Sequence, residues 1–394
     1  MKRPAACFLI FLMIFCIYNY TQINIRTTKR SDYIDTTRTI HTVTHRNKFC
    51  IAYNTTKATK SFREDGLEPI TLATHSTSQY LNILDQLLQS WDSPVSLALY
   101  IDRGSSGALQ YLLDLHRCNR SIAEKLSVHV VYQLSAFQDK CQPLQVHKHP
   151  ISCLNFTSQY RKNQLNTLVS PFGIYPINVM RNVARRGAPS HFHLISDVEM
   201  VFSSNFALHA KRLANEHIRP KSKNLIVIRR FEIESGVEVP RNHTSLKELI
   251  DSRKAHEYHH KLFPVGHTIK ALWEWFKRSK GKPEPYVWEI PYKNPMWEPQ
   301  FIMTATDPFS EESMPTRLRD QQALTYELCR ANYTFLLASQ LFNVHRGVKR
   351  FATNFDNAVV QHQIRFRYSA FIRFKRRMDA DYPKTLKRCN KFTM

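Results

Sequence analysis

The chain has 394 residues, with 56 Lys and Arg against 32 Asp and Glu and a formal net charge of +24. Its 43% apolar and 12% aromatic content supports a large folded core and argues against disorder. Nine glycines and no visible repeat exclude collagen-like, low-complexity and coiled-coil architectures, and eight cysteines in so long a chain cannot replace a core.

Met1-Lys2-Arg3 precedes an apolar run from Ala5 to Tyr18. The run is short for a membrane span, which needs about 20 residues, and has the size of a signal-peptide core. Asn19, Tyr20, Gln22 and Ile23 follow it, where a signal peptidase needs small side chains. Residues 5–20 are therefore expected to remain as a signal anchor, with residues 1–4 cytoplasmic and a Thr- and Arg-rich luminal stem over 21–46. A cleaved signal is the alternative, and it leads to the same lumen. Sequons at Asn54, Asn119, Asn155, Asn242 and Asn332 agree with that address. Cys50, Cys118, Cys141, Cys153, Cys329 and Cys389 lie beyond the apolar run and can form up to three bridges in an oxidising lumen, with their pairing open. In that compartment a basic balance does not point to nucleic acid. Acidic glycans, nucleotide-sugars and membrane headgroups remain as partners. Much of the charge lies between Arg365 and Lys391, where the plain reading is a solvated helix face.

From Pro69 the pattern becomes regular. Ile70–His75 reads as a strand, and Gln79–Trp91 carries apolar residues at helical spacing. After Asp92-Ser93-Pro94, Val95–Ile101 reads as a buried strand, Ala108–His116 as a helix and Val128–Tyr132 as another strand. That alternation predicts an α/β fold with a mostly parallel central sheet flanked by helices. Asn178–Arg186 follows as a helix, with Pro176 near its start and Gly187 at its end. His191–Ile195 is then a strand that runs directly into Ser196-Asp197-Val198-Glu199-Met200. Beyond residue 201 the pattern predicts a strand over Asn224–Arg230, helices over Ser245–Leu262, Ala271–Phe276 and Leu318–Arg330, and a Pro- and Trp-rich loop over Pro283–Pro299. Phe335–Val344 fits a helix or a strand equally well. No linker separates the second half, so residues 47–394 form one domain, with a nucleotide-sugar half to about residue 201 and an acceptor half after it.

Ligands of open parallel sheets bind beyond the carboxyl ends of the strands. Asp197 and Glu199 fall there, and two carboxylates one residue apart can grip one Mn²⁺ or Mg²⁺ ion. On its own, Asp-x-Glu is most often a surface pair. Four further stretches give it context. Trp91–Tyr100 resembles a W-x-G-P-[IV]-S-L-A segment, and Tyr175–Ala184 followed by Ser196–Met200 resembles Y-P-x-N-x-x-R-N-x-A with D-x-D. Asn294–Pro299 is similar to P-W-E-P, and Phe342–Lys349 to F-L-V-H-K-G-x-K. In this order these blocks resemble glycosyltransferase family 49, whose members include glucuronyltransferases.

The resemblance implies a GT-A-like fold, a type II Golgi or ER membrane protein, Mn²⁺ or Mg²⁺ as cofactor, a UDP-sugar donor and a glycan or glycoprotein acceptor. By position it makes Asp197, Glu199 and His345 the metal ligands. Inverting transfer then needs a carboxylate to take the acceptor's proton, for which Glu298 and Glu311 are the candidates. Asn178, Arg181 and Lys349 are candidates for binding the nucleotide-sugar, with plain surface contacts as the competing reading. The expected activity is metal-dependent inverting transfer of a sugar, glucuronate among the candidates. The alternative is a catalytically inactive paralogue that binds glycans or a partner protein.

Two departures bear on this. Glu199 stands where the family usually has Asp. Phe309-Ser310-Glu311-Glu312-Ser313 stands where it has F-D-[ER]-R-F, so Glu312 reverses a charge and would cost an acidic donor a guanidinium partner. His256-Glu257-Tyr258-His259-His260 also spells H-E-x-x-H, but flanking Lys254 and Lys261 and the lack of a third ligand argue against a zinc site. Trp273, Trp275, Trp288 and Trp297 read as core or sugar-stacking residues.

Overall fold

A computed structural model describes residues 37–147, 151–171 and 173–393. The expected tail and anchor lie outside the described residues, and among those described no helix is long and apolar enough to cross a membrane. The chain runs β1 (Thr37–Ile40), β2 (Val43–His45), β3 (Phe49–Thr56), β4 (Ile70–Thr77), α1 (Leu84–Ser90), β5 (Val95–Tyr100), α2 (Gly107–Cys118), α3 (Arg120–Lys125), β6 (Leu126–Gln133) and β7 (Leu144–His147). It continues with α4 (Ser158–Thr167), α5 (Ile177–Arg186), β8 (Phe192–Ile195), β9 (Met200–Phe202), α6 (Phe206–His217) and β10 (Asn224–Ile233). Last come α7 (His243–Asp251), β11 (Ala255–Glu257), α8 (Pro264–His267), α9 (Leu272–Ser279), β12 (Val287–Ile290), β13 (Gln300–Thr304), α10 (Gln322–Arg330), β14 (Thr334–Arg346), α11 (Asn354–Asp381) and α12 (Leu386–Cys389).

β1 and β7 pair antiparallel as a separate two-stranded ribbon. The other strands form one mixed sheet in the order β12-β14-β10-β13-β8-β4-β5-β6-β3-β2, with β11 on β10 and β9 on β14. Every residue of β5 is buried, as are seven of the eight in β4, where α5 packs against both strands. The one polar side chain inside β5, Ser96, is satisfied by donating to the Ala184 carbonyl at 2.6 Å. Gly187 ends α5 because nothing larger fits: a Cβ there would stand 2.1 Å from His129 Nε2.

β4, β5, β6 and β8 are parallel as the alternating pattern predicts, and so are β10 and β14. The expectation of a mostly parallel sheet is corrected by the remaining seven pairings of this sheet, all antiparallel. After Ile195 the strands no longer share one direction, and β13 enters between β8 and β10 antiparallel to both. Residues 43–46, expected at the end of the stem, belong to the domain through β2 on β3. The helix expected over Ser245–Leu262 stops at Asp251, since Arg253 takes a left-handed φ of 59° and Ala255–Glu257 pairs with β10. The loop expected over Pro283–Pro299 contains β12, recruited by β14. Phe335–Val344 is strand, held parallel to β10. The six cysteines beyond the apolar run are joined, as Cys50–Cys141, Cys118–Cys153 and Cys329–Cys389.

Candidate active site

Asp197 follows the carboxyl end of β8, whose last residue, Ile195, is level with Ala73 in the middle of β4, so that β4 and β5 continue beyond it. After one turn the chain enters β9, which pairs with β14 so that Met200 faces His345. Strand pairing thus brings the imidazole next to Glu199 across a long interval of sequence. His345 Nδ1 lies 3.0 Å from the Gly347 carbonyl, which can only accept, so Nδ1 carries a proton and Nε2 is the nitrogen that could face a metal. Asp197 Oδ2 accepts from Arg230 Nη2 at 3.1 Å, and Oδ1 is 3.8 Å from His75 Nε2. Arg230 in turn lies 3.9 Å over the Tyr258 ring, which meets His345 edge-on at 5.9 Å.

The two acids titrate in opposite directions. Burial works against the Asp197 charge, but Arg230, His75, Arg181 and His345 outweigh it and hold the carboxyl at about 2. Burial and the Asp197 charge raise Glu199, with His345 and Lys349 opposing. Two carboxylates close together resist ionising at once, so one of them is raised. Two carboxylates and an imidazole suit Mn²⁺ in kind. Their side chains are not gathered into a ligand set: among the described residues no group of three or more His, Cys, Asp or Glu is placed to hold a metal ion.

Glu298, on the loop before β13, reaches the same region. Its side chain is 17% exposed and sits 3.5 Å from His267 Nε2. Burial and then Asp320 push its carboxyl up to about 8, against Arg181, Arg230 and Arg319. Glu311, the other candidate, is committed elsewhere. It accepts from Ser313 and pairs with Arg377 at 3.0 Å, and its carboxyl lies below the usual range, burial notwithstanding. A base already neutralised by a guanidinium is a poor proton acceptor.

The α5 motif does more holding than binding. Asn178 Nδ2 donates to the Glu311 and Asp320 carbonyls at 2.8 and 2.9 Å, and Asn182 Nδ2 to the Ser310 carbonyl at 2.9 Å. Arg185 donates to the Thr304, Asp307 and Pro308 carbonyls. These side chains clamp the segment before α10 to the helix. Arg181 donates to Asn178 Oδ1 at 2.9 Å and lies 3.5 Å from Asp320, while its charge acts on His75, Asp197 and Glu298. Lys349 pairs with Asp356 at 2.8 Å and its charge acts on Glu199.

Glu312 also has a structural explanation. Its side chain is 2% exposed and is met by His45 at 2.6 Å, Arg46 at 2.8 Å and Asn182 at 2.7 Å, with Arg186 at 3.5 Å. The reversed charge ties the end of β2 to α5. The H-E-x-x-H residues do not share a helix: Glu257 closes β11 and pairs with buried Arg229 at 2.7 Å, while His260 pairs with Glu232 at 2.9 Å.

Sequence reasoning missed His75, Tyr175, Arg230 and His267. His75 lies near the carboxyl end of β4 and accepts or donates at Nδ1 with the Tyr175 hydroxyl at 2.9 Å, while its buried Nε2 has no hydrogen-bond partner. The rule that singled out Asp197 also applies to His75. Arg229, Arg230 and Glu232 interrupt the apolar run of β10, and buried charges demand partners.

The sequence profile of the family described as "Glycosyl-transferase for dystroglycan" matches residues 69–383. The chain belongs to this glycosyltransferase family. It is 26% identical over 335 residues to beta-1,4-glucuronyltransferase 1 of Danio rerio, covering 81% of this chain and 75% of that one. The Homo sapiens protein of the same name is 24% identical over 342 residues, covering 81% and 77%. Xylosyl- and glucuronyltransferase LARGE2 of Mus musculus is 20% identical over 287 residues, covering 70% of this chain and 34% of its own length. Among solved structures, GalNAc-T7 with UDP, GalNAc and Mn²⁺ is similar at a TM-score of 0.42 and 8% identity, covering 84% of this chain and 56% of that one, too distant a likeness to bear on function.

Proposed function

We propose that this glycosyltransferase is of GT-A type and transfers a sugar from a UDP-sugar, with inversion, to a glycan or glycoprotein acceptor in the Golgi lumen, tethered there by its N-terminal anchor. Glucuronate is the first donor to test, because the relatives are glucuronyltransferases by name. The observation that carries the reading is that His345 and Asp197 act electrostatically on one another and on Glu199 just beyond β8, with Arg181 and Arg230 acting on both Asp197 and the Glu298 carboxyl. Asp197, Glu199 and the His345 Nε2 would hold Mn²⁺ or Mg²⁺, which when bound neutralises charge on the departing UDP diphosphate. Arg181 and Lys349 add positive charge for the nucleotide's phosphates. Glu298 is the general base: a carboxylate with an affinity for protons near neutrality can take one from an acceptor hydroxyl.

The second reading, a non-catalytic glycan-binding paralogue, is favoured by the pairing of Asp197 with Arg230. Purified chain is incubated with Mn²⁺ and a panel of UDP-sugars, with and without acceptor glycans, and UDP release is measured. Release from one donor, reduced at least about a hundredfold in Asp197→Ala, is expected. Folded protein that releases UDP from no donor supports the second reading and rejects the first.

A further inference from the structure

Helix α11 is 28 residues long yet buries only Asp356, Ala370, Phe374 and Met378. Its first four turns are exposed along most of their length, with Val359, Val360, Gln363 and Arg367 half-buried and Asp356 buried, where Lys349 and Arg317 pin it at 2.8 and 2.6 Å. Helical spacing lines Phe355, His362, Phe366 and Arg373 along one ridge, with Arg365 and Arg376 beside it. Phe355 is 73% exposed and Phe366 46%. The Arg365 guanidinium lies 4.7 Å from the centre of the Phe366 ring and 3.3 Å from His362 Nε2, so cation and aromatic ring are already assembled. Among the described residues no ion pair links Arg365, Arg373 or Arg376 to a carboxylate. A single exposed Phe is ordinary, but a row of rings flanked by unpaired guanidinium groups marks a surface that something covers.

The ridge begins at the rim of the active site. Tyr80 lies in the combined field of Glu199, Arg317, Asp356 and Asp197, and Lys349 acts on Glu199 while pairing with Asp356. From there the rings of Phe355 and Phe366 are separated by about 16 Å along the helix axis. We propose that the ridge is an exosite for an acidic glycan chain. Its sugar faces stack on Phe355 and Phe366, and its carboxylates or sulfates pair with Arg365, Arg373 and Arg376. Charge selects this occupant. A second copy of a chain with net charge +24 would meet its own repulsion, and a neutral glycan leaves three guanidinium groups unused. The assignment to a glycan rests on the glycosyltransferase reading, so the test measures binding and not turnover.

Calorimetric titration of the full chain with a chondroitin sulfate oligosaccharide, a maltooligosaccharide and phosphatidylserine vesicles tests it, with folding of each variant checked by circular dichroism. Chondroitin sulfate is expected to bind and the maltooligosaccharide not to. Phe355→Ala with Phe366→Ala should weaken binding about tenfold. Arg365→Ser with Arg376→Ser should weaken it similarly and flatten its dependence on salt. Asp197→Ala should bind as the wild type does, so loss of donor turnover and loss of the exosite are separable. Unchanged affinity in folded ridge variants, equal affinity for the maltooligosaccharide, or binding to vesicles alone would overturn the proposal.

Discussion

Glu298→Gln separates a buried proton acceptor from an ordinary buried carboxylate, because it should change stability and activity in opposite directions. The ordinary glutamate value is 4.5, and in the folded protein this carboxyl is pushed up to about 8. Between those limits the unfolded chain is ionised while the folded one keeps its proton, so the folded state binds more protons and stability falls as pH rises. At about 1.4 kcal/mol per pH unit the ceiling on that loss is about 4–5 kcal/mol. Relaxation and water entry at a side chain that is 17% exposed should reduce it to about 2 kcal/mol. Glutamine keeps the shape and never ionises. Urea unfolding across a pH series should find the two proteins alike near pH 4.5 and the variant more stable by about 2 kcal/mol near pH 8. Over the same interval wild-type kcat/KM should rise towards about pH 8, and the variant should lose at least about a hundredfold and its pH dependence. A stability difference that stays flat with pH would refute the reasoning, whatever happens to the rate.

Glu312→Ala removes a buried carboxylate that faces His45, Arg46 and Arg186, and should cost about 3 kcal/mol, read as a lowered urea midpoint, because the cations are left uncompensated. The donor specificity of this variant should match the wild type if the reversed charge is structural. Cys329→Ser with Cys389→Ser opens a bridge that spans 60 residues and should cost about 4 kcal/mol, measured by thermal unfolding. His256→Ala should leave UDP release unchanged, and a proteolytic activity abolished by it would reinstate the zinc motif.

The four parallel strands of the first half were legible because each is a short β-prone stretch between helical patterns or breakers, and helix α5 because Pro176 and Gly187 frame it. The second half was harder to read. Helical spacing in Ser245–Leu262 continued past Asp251, and only the pairing of Ala255–Glu257 with β10 breaks it. Tertiary pairing likewise decided Phe335–Val344, whose apolar run fits either periodicity. Asp197 could be placed from its strand alone. Its approach to His345 needed the β9–β14 register, which no local pattern encodes. The roles of Asn178 and Glu312 were hidden for a related reason: their partners are backbone carbonyls and cations that only the folded chain brings near.

The central claim is that Asp197, Glu199 and His345 act together on one divalent cation beside a bound UDP. Electron paramagnetic titration of Mn²⁺ with UDP present tests it without relying on turnover. One tightly held ion per chain is predicted, with affinity lowered at least about tenfold in Asp197→Ala and in His345→Ala. Absence of bound Mn²⁺ in the wild type, or equal binding by both variants, would contradict the account.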